Sequence, residues 1–275
     1  METIVVGVDG SKPSMVAVDW VAERVAGTTR RVDLVRVDSP LVVAEVIEDI
    51  AFAEAEARLR DIAPNTEVES TIVPGRMPEA LLRAARDADL LVIGEHRRRP
   101  VRAAIHGWLP LRVAAQSEKP VVVVPDDWTA ADGTIVVGVD DDDSSDAAIA
   151  FAAREADTAD AELHLVHAWQ MPTPEMSGSV AILASPIEEQ ARHRVILEDA
   201  CTSVARTHPR LRIVRTLVRD SPAAAIAGTA RDASLVVVGT HHRGVLAGGF
   251  FGSVGQSLLV DSATPVCVVP TPPPV

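Results

Sequence analysis

Apolar residues along this chain fall into short unbroken runs, separated by stretches in which they recur every three or four positions. The runs predict strands at Thr3–Val8, Val32–Val37, Glu67–Val73, Leu90–Ile93 and Val121–Val124. A second set follows at Thr134–Val139, Glu162–Ala168, Arg212–Val218, Leu235–Val238 and Val266–Val269. Continuous apolar runs are the habit of parallel strands buried on both faces. The intervening periodicity predicts helices at Ser14–Val25, Ile47–Arg60, Pro78–Asp87 and Ser145–Asp157. Pro78 and Pro222 suit first-turn positions, where a missing N–H costs nothing. Strands alternating with helices imply right-handed crossovers and a doubly wound α/β sandwich.

The pattern is written twice. Ile4-Val-Val-Gly-Val-Asp9 returns as Ile135-Val-Val-Gly-Val-Asp140, an offset of 131. Pro120-Val-Val-Val-Val-Pro125 returns as Pro265-Val-Cys-Val-Val-Pro270, and Ala85-Arg-Asp-Ala-Asp89 as Ala230-Arg-Asp-Ala-Ser234, both at 145. The second copy therefore carries 145 − 131 = 14 extra residues, which fall best in the Pro- and Ser-rich stretch Gln170 to Pro186. Repeats this long are whole domains. The expected architecture is two tandem Rossmann-like domains, 1–126 and 133–275, each a doubly wound parallel five-stranded sheet with flanking helices. The connector Asp126–Gly133 is short and polar, so the copies should sit against each other.

Composition narrows the function classes. The net charge is −13 and the pI near 5.0, which disfavours capture by DNA or by anionic lipid. Tyrosine is absent and aromatics are 3%, leaving few rings on which single-stranded nucleic acid could stack. Neither nucleic acid nor membrane is an expected partner. Cys201 lies in a helical pattern and Cys267 in a strand pattern, and both are expected as buried thiols rather than a redox pair. The N-terminus enters a strand within three residues, with no leader-like basic or apolar segment. The uncharged stretch Gly244 to Val260 is too short and too glycine-rich for a span. A cytoplasmic, soluble protein is expected.

Open parallel sheets bind ligands beyond the carboxyl ends of their strands. The first such turn is Asp9-Gly-Ser11 in one copy and Asp140–Ser145 in the other. A carboxylate there can accept hydrogen bonds from a ribose hydroxyl or an adenine amine, or cap the following helix; both roles fit. Four consecutive aspartates do not make a metal site, because adjacent side chains diverge. The richest segment runs from Gly239 through His241, His242, Arg243 and Gly244 to Gly252, Ser253 and Val254. Glycines that expose N–H groups, followed by a helix start, form a cradle for phosphate. His241 and His242 are candidate acid–base groups, but no nucleophile or paired carboxylate stands at a diagnostic spacing. His164 and His167, three apart in a strand, face opposite sides and are poor joint ligands. A dinucleotide fingerprint and a Gly-Lys-Ser/Thr loop are both missing.

These residues resemble the universal stress protein family, and the chain looks like a tandem member of it. The family's ATP signature is Gly, two residues, Gly, nine residues, then Gly with Ser or Thr. Gly239 and Gly252-Ser253 keep that spacing, while His242 replaces the middle glycine, where an imidazole either fills phosphate space or donates to it. The resemblance implies ATP, with Mg2+ as its companion, held by Asp140 and Ala168 at the ribose and base and by Gly239, His242, Arg243, Gly244, Gly252, Ser253 and Val254 at the phosphates. The first copy departs further. It keeps Asp9 and Gly94, but Arg97 stands at the middle glycine and Trp108 follows Gly107 in place of the hydroxyl residue, which makes it a degenerate site. The resemblance also implies that the last strands of the copies pair as an intrachain pseudo-dimer, and that two chains can pair as a homodimer. Three functions are compatible: an ATP-binding stress-response or regulatory protein without turnover, a nucleotide-free scaffold, or a slow ATP hydrolase drawing its base from His241, His242 or Asp140–Asp143.

Overall fold

A computed structural model describes residues 1–38, 48–96, 109–130, 133–173, 175–177, 180–182, 184–240 and 252–271. The first half runs β1 (Thr3–Gly7), α1 (Lys12–Val25), β2 (Arg31–Asp38), α2 (Glu48–Ile62) and β3 (Glu67–Pro74). It continues with α3 (Glu79–Ala84), β4 (Leu90–Glu95), α4 (Leu109–Gln116) and β5 (Val121–Pro125). The second half runs β6 (Thr134–Gly138), α5 (Asp143–Thr158), β7 (Leu163–Trp169), β8 (Glu175–Ser177) and β9 (Val180–Ile182). After these come α6 (Pro186–Thr207), β10 (Ile213–Arg219), α7 (Pro222–Thr229), β11 (Ala233–Thr240), α8 (Ser253–Asp261) and β12 (Val266–Pro270).

Every expected strand is present, its ends within two residues of the pattern. Three local expectations need correction. The helix expected over Pro78–Asp87 covers only Glu79–Ala84, because Arg86 and Ala88 bond three residues back, to Arg83 and Ala85, and turn the chain. Pro78 is its N-cap rather than a first-turn residue, whereas Pro222 does open α7. Cys267 is fully buried, but Cys201 is only half-buried. Burial pushes both thiols up. The extra residues of the second copy hold the antiparallel pair β8–β9.

The strands join into one ten-stranded sheet, β10-β7-β6-β11-β12-β5-β4-β1-β2-β3. All of its neighbours are parallel except β12 and β5, which are antiparallel and place Val266 opposite Val123, Cys267 opposite Val122 and Val268 opposite Val121. Helices α1, α2, α5 and α6 cover one face, with Val18, Val21, Leu59, Phe151 and Leu197 in a core continuous across both halves. Helices α3, α4, α7 and α8 cover the other, through Leu81, Val113, Ile226 and Leu258. Coverage on both faces is why the central strands tolerate no alternation: β5 is buried at all five positions, while edge strand β3 is largely exposed.

The junction of the halves lies on an approximate two-fold axis. Val122 and Cys267 are repeat equivalents (267 − 122 = 145) and pair with each other. Above them Arg24 of α1 meets Glu155 of α5, again equivalents (155 − 24 = 131). The guanidinium is bidentate on Glu155, Nε to Oε2 at 2.7 Å and Nη2 to Oε1 at 2.6 Å, and Nη2 also reaches Glu2 at 2.7 Å. Burial works against the Arg24 charge, yet the two carboxylates outweigh it and hold the group more firmly protonated than a free arginine.

A second close contact recurs in both halves. A Cβ on Gly94 would lie 2.0 Å from the Pro13 carbonyl oxygen, and one on Gly239 2.2 Å from that of Ser144. The ends of β4 and β11 thus carry the first turns of α1 and α5 directly on their backbones.

Two stability predictions follow from these contacts. Arg24→Met, which strands Glu155 without its partner, should cost about 3–5 kcal/mol in urea unfolding, and Glu155→Leu added to it should recover much of that loss. Equal losses in the single and double variants would contradict the role given to the pair. Gly94→Ala should cost about 1–3 kcal/mol through overpacking. An unchanged unfolding midpoint would mean that α1 does not rest on Gly94.

Candidate functional site

At the carboxyl end of β6 the chain must leave the sheet and start α5, and four aspartates make that turn. Asp142 is the N-cap: its Oδ1 accepts the Ser145 amide at 2.9 Å and the Ser144 hydroxyl at 2.6 Å. The Asp140 amide donates to Ser145 Oγ at 2.8 Å, and Asp140 Oδ1 accepts only the neighbouring Asp141 amide, at 2.9 Å. Its second carboxylate oxygen takes no hydrogen bond among the described residues. Of the two readings of this turn, capping therefore belongs to Asp142, and Asp140 is left able to accept from a ligand.

Asp140 faces a cavity of about 310 Å³, at the lower end of the range typical for small-molecule sites. Val139, Val166, Ala168, Ile226 and Val238 give it an apolar wall. The start of α8 lines it as well, through Gly252, Ser253, Val254 and Gly255. Gly252 is the N-cap of that helix and supplies no side-chain cap, so the first-turn amides retain their donors and the partial positive charge of a helix start. The lining thus combines carboxylates, backbone donors and apolar carbon. Such a lining suits a ligand that has hydrogen-bond donors, an apolar body and negative charge.

The structure thus brings Asp140, Ala168, Gly239, Gly252, Ser253 and Val254 around one cavity. Gly239 lines it, but its close contact with Ser144 gives it a packing role that the motif spacing does not reveal. His242, Arg243 and Gly244 lie outside the described residues, as do Arg97 and Gly107 of the first half. Among the described residues, no group of three or more His, Cys, Asp or Glu side chains is placed to hold a metal ion.

In the first half, Ser11 takes the capping role and accepts the Ser14 amide, while Asp9 Oδ1 accepts the Ser11 amide at 2.9 Å. Partial desolvation pushes the Asp9 carboxyl up, but the Ser11 and Ser14 hydrogen bonds outweigh it and its pKa is lowered overall. Just past the end of β4 at Glu95, His96 Nδ1 meets Asp126 at 2.9 Å.

One arrangement was not foreseen from the sequence. His164 and His167 do face opposite sides, His164 toward Thr216 of β10 at 2.8 Å. His167 points under α6, where its Nδ1 is 2.6 Å from the Val139 carbonyl and its Nε2 is 2.8 Å from Nδ1 of His193. Trp169 stacks on His193 with centroids 5.6 Å apart. Burial lowers the pKa of His193, and His167 adds to that; Glu189 and Asp140 pull the other way. The available signal was a pair of histidines in a strand whose other residues are apolar, but the partner of His167 lies 26 residues on, in a helix.

The sequence matches the universal stress protein family over residues 1–125 and 133–270. Universal stress protein Rv2623 of Mycobacterium tuberculosis is 29% identical over 291 residues, covering 96% of this chain and 95% of its own. A universal stress protein of Mycolicibacterium smegmatis is 28% identical over 287 residues, covering 97% and 96%. A solved universal stress protein from Archaeoglobus fulgidus shares the fold over 98% of both chains, with a TM-score of 0.70 at 16% identity. With its fold, its repeat and both matched regions in agreement, the chain belongs to the universal stress protein family, as two tandem copies of the family's domain.

Proposed function

We propose that this protein binds ATP in the cavity of its C-terminal half and acts as a nucleotide-responsive regulatory protein with little or no turnover. The observation that carries this reading is the mixed lining of that cavity. Asp140 is positioned to accept from ribose hydroxyls, the wall of Val139, Ala168 and Ile226 suits a flat apolar base, and the α8 amides suit phosphate oxygens. His242, Arg243 and Gly244 belong to the segment joining β11 to α8, and the proposal assigns them to the phosphates. Mg2+ would enter with the nucleotide.

The absence of turnover rests on the chemistry at the phosphate end. Among the described residues the groups at the α8 start are backbone amides and the Ser253 hydroxyl, which hold charge but do not activate water. Asp142 is occupied as a cap. The intrachain β5–β12 pair uses the strands through which the family resemblance implies dimerisation, so a homodimer of this chain would use another surface. No helix among the described residues is long and apolar enough to cross a membrane, and the proposal places the protein in the cytoplasm.

The test is titration calorimetry of ATP with the wild type and Gly252→Asp, beside the nucleotide content of protein purified without ligand. A Cβ at Gly252 meets nothing within 4 Å, and aspartate is a favoured N-cap, so the variant should melt no lower than wild type. Its carboxylate would stand where phosphate is expected, and affinity should drop at least about tenfold, or ~1.4 kcal/mol. A wild type that binds no nucleotide overturns the reading in favour of a scaffold. Unchanged affinity in Gly252→Asp would move the phosphates away from α8.

A further inference from the structure

Beneath the cavity, the hydrogen bonds of His167 and His193 determine where the next proton can go. The Val139 carbonyl can only accept, so Nδ1 of His167 carries a hydrogen toward it. In neutral His167 the other nitrogen, Nε2, is then bare and accepts from Nδ1–H of His193. Only Nε2 of His193 remains to take a proton without breaking either bond. Uptake at that nitrogen leaves both hydrogen bonds intact and places the incoming hydrogen on His193.

The relay ends on the wall of the candidate site, because Val139 and Asp140 line the cavity. The groups facing His193 come from several elements. His167 meets it from β7, Glu189 and Arg192 share its own helix, and the charge of Asp140, in the turn after β6, also acts on it. Trp169 stacks on its ring, and the Arg219 guanidinium lies 5.7 Å over that indole. Glu189 is held by Arg192, which bonds both of its oxygens at 2.8 and 2.9 Å. Among the described residues no arginine clamps the Asp140 carboxylate in this way, which makes it the anion better able to respond to charge on His193.

We propose that His193 is the proton-sensing residue of the nucleotide site: an imidazolium at His193 draws the Asp140 carboxylate away from the ligand's hydroxyls, and nucleotide affinity falls on acidification. The proposal rests on the adenine-nucleotide reading above. The first half has Arg36 where the second has His167, so the device belongs to the C-terminal half alone (167 − 36 = 131).

The experiment is ATP titration of the full chain at pH 7.5 and 5.5, with wild type and His193→Gln. Glutamine keeps an N–H donor toward His167 but cannot gain a proton. Protonation of the phosphates is common to both proteins and cancels in the comparison. Wild type should lose at least about fivefold more affinity than His193→Gln on acidification. Equal losses in the two proteins overturn the proposal. If wild type fails to bind ATP at pH 7.5, the nucleotide reading fails. The relay is then judged by NMR titration of His193 in wild type and Asp140→Asn. Losing the Asp140 charge should lower the His193 pKa further, and an unmoved pKa overturns the relay.

Discussion

The antiparallel pairing of β5 with β12 is the contact on which the rest of the molecule depends. It converts two five-stranded sheets, each with an apolar edge, into one sheet whose free edges are the charged outer strands β3 and β10. Glu67 and Glu69 are exposed on one edge and Arg215 and Arg219 on the other, the kind of residue that discourages unwanted strand addition. The pairing also sets the direction of everything else. Because all other neighbours are parallel, the strands of one half run opposite to those of the other. The carboxyl ends of the two halves, and with them the loops carrying Asp9 and Asp140, therefore open at opposite ends of the sheet.

A duplicated chain can do at such a junction what two identical subunits cannot. Position 24 and its equivalent 155 face each other across the axis, and in a symmetric pair they would carry the same charge. Here they are arginine and glutamate, bonded in bidentate geometry. The same freedom separates the ligand ends. Ser11 caps α1 where Asp142 caps α5, and Arg36 stands where His167 donates to Val139. Gly94 is held to glycine by the backbone of α1 that rests on it, whatever the half binds.

Much of this was legible in the sequence because its causes are local or periodic. Strands buried on both faces must be apolar throughout, so all ten core strands stood out, and the repeat gave the pairing of the halves a natural axis. The aspartate turn was legible as a choice between capping and binding; assigning the first role to Asp142 and leaving the second open to Asp140 needed the actual hydrogen bonds. Other features depend on what lies over a residue in space. Spacing marks Gly239 as a motif glycine but says nothing of Ser144 resting on it. His193 sits in an amphipathic helix with no local peculiarity, and only the fold brings it to His167. The short α3 escaped for a similar reason, since its apolar period runs on after the backbone has turned at Ala85.

The central claim is that the two halves share a fold but only the C-terminal one keeps a ligand site. Amide hydrogen exchange of the full chain with and without saturating ATP tests it most directly. The account predicts protection at residues 139–142 and 253–256, with no change at residues 9–12, and one nucleotide bound per chain. Protection at the Asp9 loop, two nucleotides per chain, or no protection in either half would contradict it.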